Sequence, residues 1–396
     1  MRILFANEAI VGSGGVESYL ASLMPALASR GHAVALLYAN TRADHGATRI
    51  DAAAERTASV ADDGLDRALQ VMREWRPDVC FAHNMRHLDI EERLLDLWPV
   101  VKMMHGYFGT CIGGQKAHAF PQITACTRKF GAACLALYLP RHCGQYRPLR
   151  MIDEFRWAAR QRELLSRYAA IVTASTHMAD EYRRAGVPPS KVIAAPLFPT
   201  IDAPLTPRPL PSAPTVLFAG RMTAIKGGDV VVRAVAEAGR LLDRPVKLLM
   251  AGDGPQRARL ESLAAALPVD ATFTGWVSDS ARLDLIRRAS VLAVPSLWPE
   301  PFGLSGLEAA VHGVPAVAFD VGGIREWLRD GVSGVLVRKA GDAAAMGGAL
   351  ARVLGDAAVL QQLGEGAIAA GRELSLDAHL TRVVDALRRA APAAAA

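Results

Sequence analysis

The chain has 396 residues, of which 51% are hydrophobic and 21% charged. At roughly 100–200 residues per domain this length points to two domains, and the composition excludes a disordered or fibrous protein. No apolar run approaches the roughly 20 residues of a membrane-spanning helix. The formal net charge of +6 points to anionic partners. That charge is local: from Arg128 to Arg167 nine Lys/Arg face three Asp/Glu, a surplus equal to that of the whole chain. Met1–Ala6 lacks the apolar region and cleavage site of a signal peptide, so a cytoplasmic, thiol-reducing setting is expected.

Taken in chain order, Arg2–Ala6 reads as a short apolar strand, followed by the glycine-rich turn Gly12, Ser13, Gly14, Gly15. A helix is predicted over Val16–Arg30, with Tyr19, Leu20, Leu23 and Leu27 at 3–4 spacing, ended by Gly31. His32–Tyr38 is the next strand, completing the βαβ unit of a parallel sheet. Short buried strands are predicted at Asp78–His83, Val100–His105 and Ala170–Ala174, with helices such as Leu65–Trp75 and Ile152–Tyr168 between them. This first half, 1–198, is expected to be doubly wound, with a Cys-rich basic insertion at about 106–150.

Prolines at 196, 199, 204, 207, 209, 211 and 214 repeatedly fix φ and remove backbone donors, which predicts an interdomain linker over 199–214. The alternation then restarts. Strands are predicted at Thr215–Ala219, Val246–Ala251, Ala271–Thr274, Val291–Val294 and Ala316–Phe319. Helices are predicted at Gly228–Leu242, Pro255–Ala266, Ser280–Ala289 and Gly303–His312. A second doubly wound domain, 215–376, follows from this order, then a terminal amphipathic helix and tail, 377–396, whose alanine end is expected to fray. The fold class is therefore α/β, two Rossmann-like domains facing a central cleft where their strand C-termini point.

The most informative segment is Pro295–His312. Glu300, Pro301, Phe302, Gly303 and Leu304 lead into a predicted helix that carries Glu308, so the two carboxylates are eight apart. Gly303 permits close backbone approach, and the N–H groups of a helix start attract an anionic or hydroxyl-rich ligand. The plainer reading makes Glu300 a surface acid and Glu308 a capping residue.

This segment resembles the Glu, seven residues, Glu motif of glycosyltransferase family 4, retaining enzymes of GT-B fold. Other motifs of that family stand in the same order: Gly220, Arg221 with Lys226, Gly227; Gly252, Asp253, Gly254, Pro255; Gly275, Trp276, Val277; Gly322, Gly323, Ile324 with Glu326; and near the start Gly14, Gly15, Val16, Glu17. The resemblance implies that Arg221 and Lys226 clamp the diphosphate of a UDP- or GDP-sugar, stabilising charge on the leaving group. It assigns Glu308 to the ribose hydroxyls, and Glu300 with the backbone of Phe302, Gly303 and Leu304 to the donor sugar. Gly220 and Gly254 border the donor, Trp276 and Val277 flank the base, and Gly14 and Gly15 let a loop approach the phosphates and the acceptor.

His105, at the end of its strand and before Gly106, matches the family's N-domain histidine beside the donor sugar and is assigned a positioning role. A lone histidine is otherwise as readily structural. The catalytic set is thus His105, Arg221, Lys226 and Glu300. No Asp-x-Asp pair occurs, so no metal or other cofactor is indicated, and Arg221 with Lys226 would take a metal's place.

Cys111, Cys126, Cys134 and Cys143 crowd one segment, with His118 and His142 nearby but no Cys-x-x-Cys. A structural metal, reduced core thiols and, less favoured by compartment, disulfides all remain open. The same stretch mixes Arg128, Lys129, Arg141 and Arg147 with Phe130, Leu135 and Leu139, which suits an anionic membrane surface or a lipid-diphosphate acceptor. A solvated basic helix is the plain alternative, and no nucleic-acid-binding module accompanies the charge. The sequence thus predicts a retaining, metal-independent transfer of sugar to a glycan or lipid-linked acceptor in cell-surface polysaccharide or glycolipid synthesis, at or near the inner membrane face. The rivals are a phosphorylase or epimerase on the same fold and a non-catalytic sugar-nucleotide-binding scaffold.

Overall fold

The structure is a computed structural model that describes residues 1–12, 14–40, 48–144, 147–201, 211 and 213–392. Ser13, most of the predicted linker and the alanine tail from 393 lie outside the described residues. The chain divides into two compact units. Unit 1 comprises Met1–Lys116, Thr127–Pro196 and Leu376–Ala396, and unit 2 comprises Ala117–Cys126 and Leu197–Ser375.

Unit 1 is built on seven parallel strands: β1 (Arg2–Ala9), β2 (Ala33–Asn40), β3 (Arg56–Ser59), β4 (Val79–Ala82), β5 (Val100–Met104), β6 (Ala170–Thr173) and β7 (Val192–Ala194). Their order across the sheet is β7-β6-β5-β4-β1-β2-β3. β1 lies between β2 and β4, with Phe5 opposite both Leu36 and Phe81. Ile3–Ala6, Val34–Leu37 and Val79–Ala82 are buried throughout, the continuous apolar runs of a sheet covered on both faces. The glycine turn leads into helix α1 (Gly15–Ala28), whose Tyr19, Leu20, Leu23 and Leu27 are all buried, as their spacing predicts.

Unit 2 repeats the plan with six parallel strands: β8 (Thr215–Ala219), β9 (Lys247–Ala251), β10 (Asp270–Gly275), β11 (Val291–Val294), β12 (Ala316–Phe319) and β13 (Gly334–Val337). Their order is β10-β9-β8-β11-β12-β13. In both sheets the order runs outward in one direction from the first strand and then reverses, the arrangement of a dinucleotide fold, and ligands bind at that reversal. In unit 2 the reversal falls between β8 and β11, where Leu217 stands beside Leu292. Helix α2 (Gly228–Leu242) packs Val231 and Val235 with Val216, Phe218 and Met250 into one core, joined by Met346 and Leu350 of a helix after β13, α3 (Ala343–Gly355).

Two placements differ from the sequence reading. The last helix, α4 (Leu376–Ala390), belongs to unit 1: Tyr19 bonds His379 at 2.8 Å, and Leu380, Val383 and Leu387 are buried. Residues 117–126, expected inside the first domain, count with unit 2, as a small antiparallel hairpin pairing Ala117–His118 with Thr124–Ala125 that joins neither sheet. No single helix among the described residues is long and apolar enough to cross a membrane.

Candidate functional site

In unit 2 the predicted residues fall on loops leaving the C-terminal ends of β8, β9, β10 and β11. Gly220, Arg221 and Lys226 follow β8, Gly254 follows β9, Trp276 and Val277 follow β10, and Glu300 to Leu304 follow β11. The β8 and β11 loops are stitched together at the sheet reversal. Leu297 N–H donates to the Ile225 carbonyl at 2.8 Å, and Gly227 adopts φ +67 where a side chain would meet the Pro295 carbonyl oxygen at 2.0 Å. Only glycine fits that crossing.

This close approach delivers Lys226 to Glu300. Lys226 Nζ donates to Glu300 Oε1 at 2.5 Å and lies 5.4 Å from the centroid of the Trp298 ring. The same oxygen accepts from Ser296 Oγ at 2.5 Å and from Trp298 Nε1 at 2.9 Å. Glu300 is only 3% exposed, so its charge is held by one cation and two neutral donors out of water. The turn at Gly322 (φ +58) sits on the Glu300 backbone, where a Cβ would meet the Glu300 carbonyl oxygen at 2.2 Å, and Gly323 N–H donates to that carbonyl at 2.7 Å. This explains the late glycine pair: it fixes the backbone that carries the acid.

Gly303 precedes helix α5 (Leu304–Val311) and caps it without a side-chain bond. Phe302 is buried, and its carbonyl accepts from Trp327 Nε1 at 2.7 Å. The first-turn N–H groups of α5 therefore follow an anchored loop, the setting that favours a negative or polyol ligand. Glu308, the fifth residue of α5, is 2% exposed. Its Oε1 accepts from Thr200 Oγ1 at 2.8 Å and lies 3.2 Å from Arg282 Nη2. Burial pushes its carboxyl above the usual range, while Arg282 and Thr200 hold it down.

Arg221 is exposed, and among the described residues it makes no side-chain hydrogen bond or ion pair. Trp276 is 62% exposed at the end of β10, and Val277 is half-buried beside it. Asp253 Oδ1 accepts the Gly254 N–H at 2.6 Å, and Arg257 Nη1 holds the other carboxylate oxygen at 3.0 Å, which together keep the Asp253 carboxyl below its usual range.

In unit 1, Gly14 caps α1 and Gly15 opens it with nothing near its Cα that a side chain would meet. His105 follows β5 as predicted, and its Nε2 lies 3.2 Å from His83 Nδ1, a residue the sequence did not flag. One of these two nitrogens donates to the other, and the tautomers decide which. Burial, with help from Lys102 and His379, lowers His105 to about 3, so the ring is neutral and can orient a hydroxyl but cannot act as an acid near neutrality. Tyr19 packs edge-on to His105 at 5.8 Å and bonds His379, whose Nδ1 lies 2.8 Å from the Pro196 carbonyl. Because that carbonyl only accepts, His379 Nδ1 carries the proton and its Nε2 accepts from the Tyr19 hydroxyl. Lys102, buried with Glu91, donates to the His83 carbonyl at 2.5 Å.

The sequence also missed Ser296, Trp298, Thr200 and Arg282, which grip the two acids. Ser296 and Trp298 lie inside the informative segment and were legible there as polar groups flanking Glu300. Thr200 and Arg282 reach Glu308 only through the tertiary fold.

All five cysteines are thiols without a disulfide. Cys134 and Cys143 pack against a small apolar cluster of Ile112, Phe130, Tyr138 and Ala158, the arrangement of core thiols. Among the described residues no group of three or more His, Cys, Asp or Glu comes together to hold a metal ion. Part of the basic stretch is matched by acids: Arg160 pairs with Asp89 and Glu92, and Arg167 pairs with Asp96. Leu149 and Ile152 remain exposed on the helix Pro148–Leu164.

The family model described as Glycosyltransferase Family 4 matches residues 13–197, and that described as Glycosyl transferases group 1 matches residues 213–356. With both halves matched in this order, the chain belongs to the family 4 glycosyltransferases. Its fold is theirs: the structure is similar to that of Anabaena Alr3699/HepE in complex with UDP and glucose, with a TM-score of 0.70 at 16% identity, covering 98% of this chain and 99% of the other. It is likewise similar to sucrose-phosphate synthase from Thermosynechococcus elongatus, with a TM-score of 0.68 at 20% identity over 98% of each chain. Among curated relatives, a D-inositol 3-phosphate glycosyltransferase of Nocardia farcinica is 38% identical over 168 residues, 40% of this chain and 37% of the relative. An alpha-D-kanosaminyltransferase of Streptomyces kanamyceticus is 33% identical over 196 residues, 46% of this chain and 50% of the relative. The matched stretch thus spans about a third to a half of these relatives' length.

Proposed function

We propose that this chain transfers a sugar from a nucleoside-diphosphate sugar to a glycan or lipid-linked acceptor, with the donor held by unit 2 and the acceptor recognised by unit 1. The observation that carries this reading is the arrangement at the strand reversal of unit 2. There Lys226 and Glu300 meet across two loops, the start of α5 lies between the two acids, and Glu308 is buried with its own donors. A cation at the diphosphate, an acid for the sugar hydroxyls and an acid for the ribose diol suit the three parts of such a donor.

In the proposed reaction the bond from the anomeric carbon to the diphosphate oxygen breaks, and the leaving group takes the electron pair. The acceptor hydroxyl oxygen forms the new bond on the same face, and its proton passes to the departing phosphate oxygen, which retains configuration without a protein nucleophile. Arg221 and Lys226 stabilise the growing charge on the diphosphate, the work a metal would otherwise do. Neutral His105 orients a sugar hydroxyl. The exposed Leu149 and Ile152 near Arg150 and Arg156 suit contact with an anionic membrane surface, which fits a lipid-linked acceptor in cell-surface glycan synthesis at the inner membrane face.

A thermal-shift screen of UDP-, GDP- and ADP-sugars, followed by nucleotide-release assays with the best binder, tests the reading. Stabilisation by one donor and acceptor-dependent nucleotide release are expected. Phosphate-dependent or isomerised products, or binding without release under every acceptor, would replace it with one of its rivals.

A further inference from the structure

Arg282 lies one turn into helix α6 (Asp279–Arg288), which follows the β10 loop carrying Trp276. Ser278 caps this helix by accepting the Ala281 N–H at 3.3 Å, and Arg282 N–H donates to the Ser278 carbonyl at 2.8 Å, so the residue is fixed on a capped first turn. Its Nη2 lies 3.2 Å from Glu308 Oε1 and 3.1 Å from Asp279 Oδ1. Both acids are near enough for charge but off the line a hydrogen bond needs, and Nε and Nη2 are buried with no hydrogen-bond acceptor. Buried guanidinium donors are normally matched, because an unmatched one has given up water for nothing. The Glu308 carboxylate is equally one-sided. Thr200 and Arg282 both address Oε1, and Oε2 accepts nothing from the described residues.

We propose that Arg282 is a positioning residue for nucleoside recognition: its charge beside Oε1 aligns Glu308 so that Oε2 is left for the ribose diol. This inference rests on the donor-site reading above. With a nucleoside in place, Glu308 Oε2 takes a ribose hydroxyl. Arg282 also opposes the rise that burial imposes on the Glu308 carboxyl. The groups facing that carboxylate are Arg282, Thr200 and Asp279, and of these only Arg282 is a cation, set against the like charge of Asp279 and the cost of burial.

The test is calorimetry on the intact chain with UDP, GDP and inorganic pyrophosphate, from pH 5 to 8, for the wild type, Arg282→Gln and Arg282→Lys. Wild type should bind one nucleotide. Arg282→Gln should weaken it at least about tenfold, leave pyrophosphate unchanged and move the acidic loss of nucleotide affinity to higher pH, as Glu308 loses its one cation. Arg282→Lys, which keeps the charge, should restore the pH dependence in part and remains informative where Arg282→Gln does not fold. Equal nucleotide affinity and an unchanged pH profile in a folded variant would overturn the inference while leaving the donor site standing, and so would a parallel loss of pyrophosphate binding. A wild type that binds neither nucleotide would overturn the donor-site reading and this inference with it.

Discussion

Lys226 and Glu300, 74 positions apart in the chain, share a hydrogen bond of 2.5 Å in unit 2. The contact places the cation proposed for the diphosphate against the acid proposed for the sugar. It holds Lys226 over the Trp298 ring and keeps a buried carboxylate neutralised before any ligand arrives.

Replacing Lys226 by alanine should leave the fold intact, because Ser296 and Trp298 still donate to Glu300. Donor affinity should fall roughly 10–100-fold, the worth of about 1.5–3 kcal/mol for one hydrogen bond to a charged group. Titration of the preferred nucleotide-sugar into both proteins checks this, and an unchanged affinity would detach Lys226 from the donor.

Gly227→Ala should destabilise unit 2 by about 2 kcal/mol or more. A β-carbon at φ +67 is strained by itself, and this one would meet the Pro295 carbonyl oxygen at 2.0 Å. Because the collision lies between the β8 and β11 loops, the variant should also lose nucleotide binding. Urea unfolding followed by tryptophan fluorescence gives the first number and calorimetry the second.

Acid should destabilise unit 1 earlier than carboxylate titration alone would. Burial lowers His105 to about 3 and His379 to about 4, and pushes His83 well below its usual range. Histidines whose folded values are depressed contribute stability above the unfolded value near 6.5, and lose it as pH falls toward the folded values. For His379, 1% exposed, the full effect is on the order of 3 kcal/mol. Unfolding midpoints should therefore decline from about pH 6.5 downward, and His379→Gln should flatten that decline. A His379→Gln variant with the same slope would contradict it.

The buried pair of Lys102 and Glu91 sets a different expectation. Lys102→Met alone leaves a carboxylate buried without its cation and should cost about 3–5 kcal/mol, whereas adding Glu91→Leu should recover much of the loss. Denaturant titration of the two variants checks it.

Much of the fold was legible because parallel strands buried on both faces read as short apolar runs between glycine turns. Thr215–Ala219, Val291–Val294 and Ala316–Phe319 appear in the structure with the predicted bounds. β3, β7 and β13 went unnoticed: Arg56–Ser59 is a polar edge strand with only its last two residues buried, Val192–Ala194 has three residues with only the first buried, and Gly334–Val337 begins with a glycine. The return of α4 to unit 1 was invisible, since an amphipathic helix records that one face is buried but not against what. At the site, the loop residues could be read because their glycines and acids are close in sequence. The partners Arg282 and Thr200 could not, because an arginine on a helix and a threonine among prolines look like solvated residues until the fold carries them to Glu308. The crowded cysteines left three readings open, because sequence proximity does not say whether thiols converge: Cys134 and Cys143 pack as apolar groups, and Cys126 falls in the other unit.

In the proposed function unit 2 grips a nucleoside-diphosphate sugar through Glu308. Calorimetric titration of UDP- and GDP-sugars into the intact chain and into Glu308→Ala measures this directly. Saturable binding of one donor is expected in the wild type, with at least a tenfold loss in a variant that remains folded, from the removal of about 1.4 kcal/mol or more of ribose contact. Equal affinity in the two proteins would contradict it.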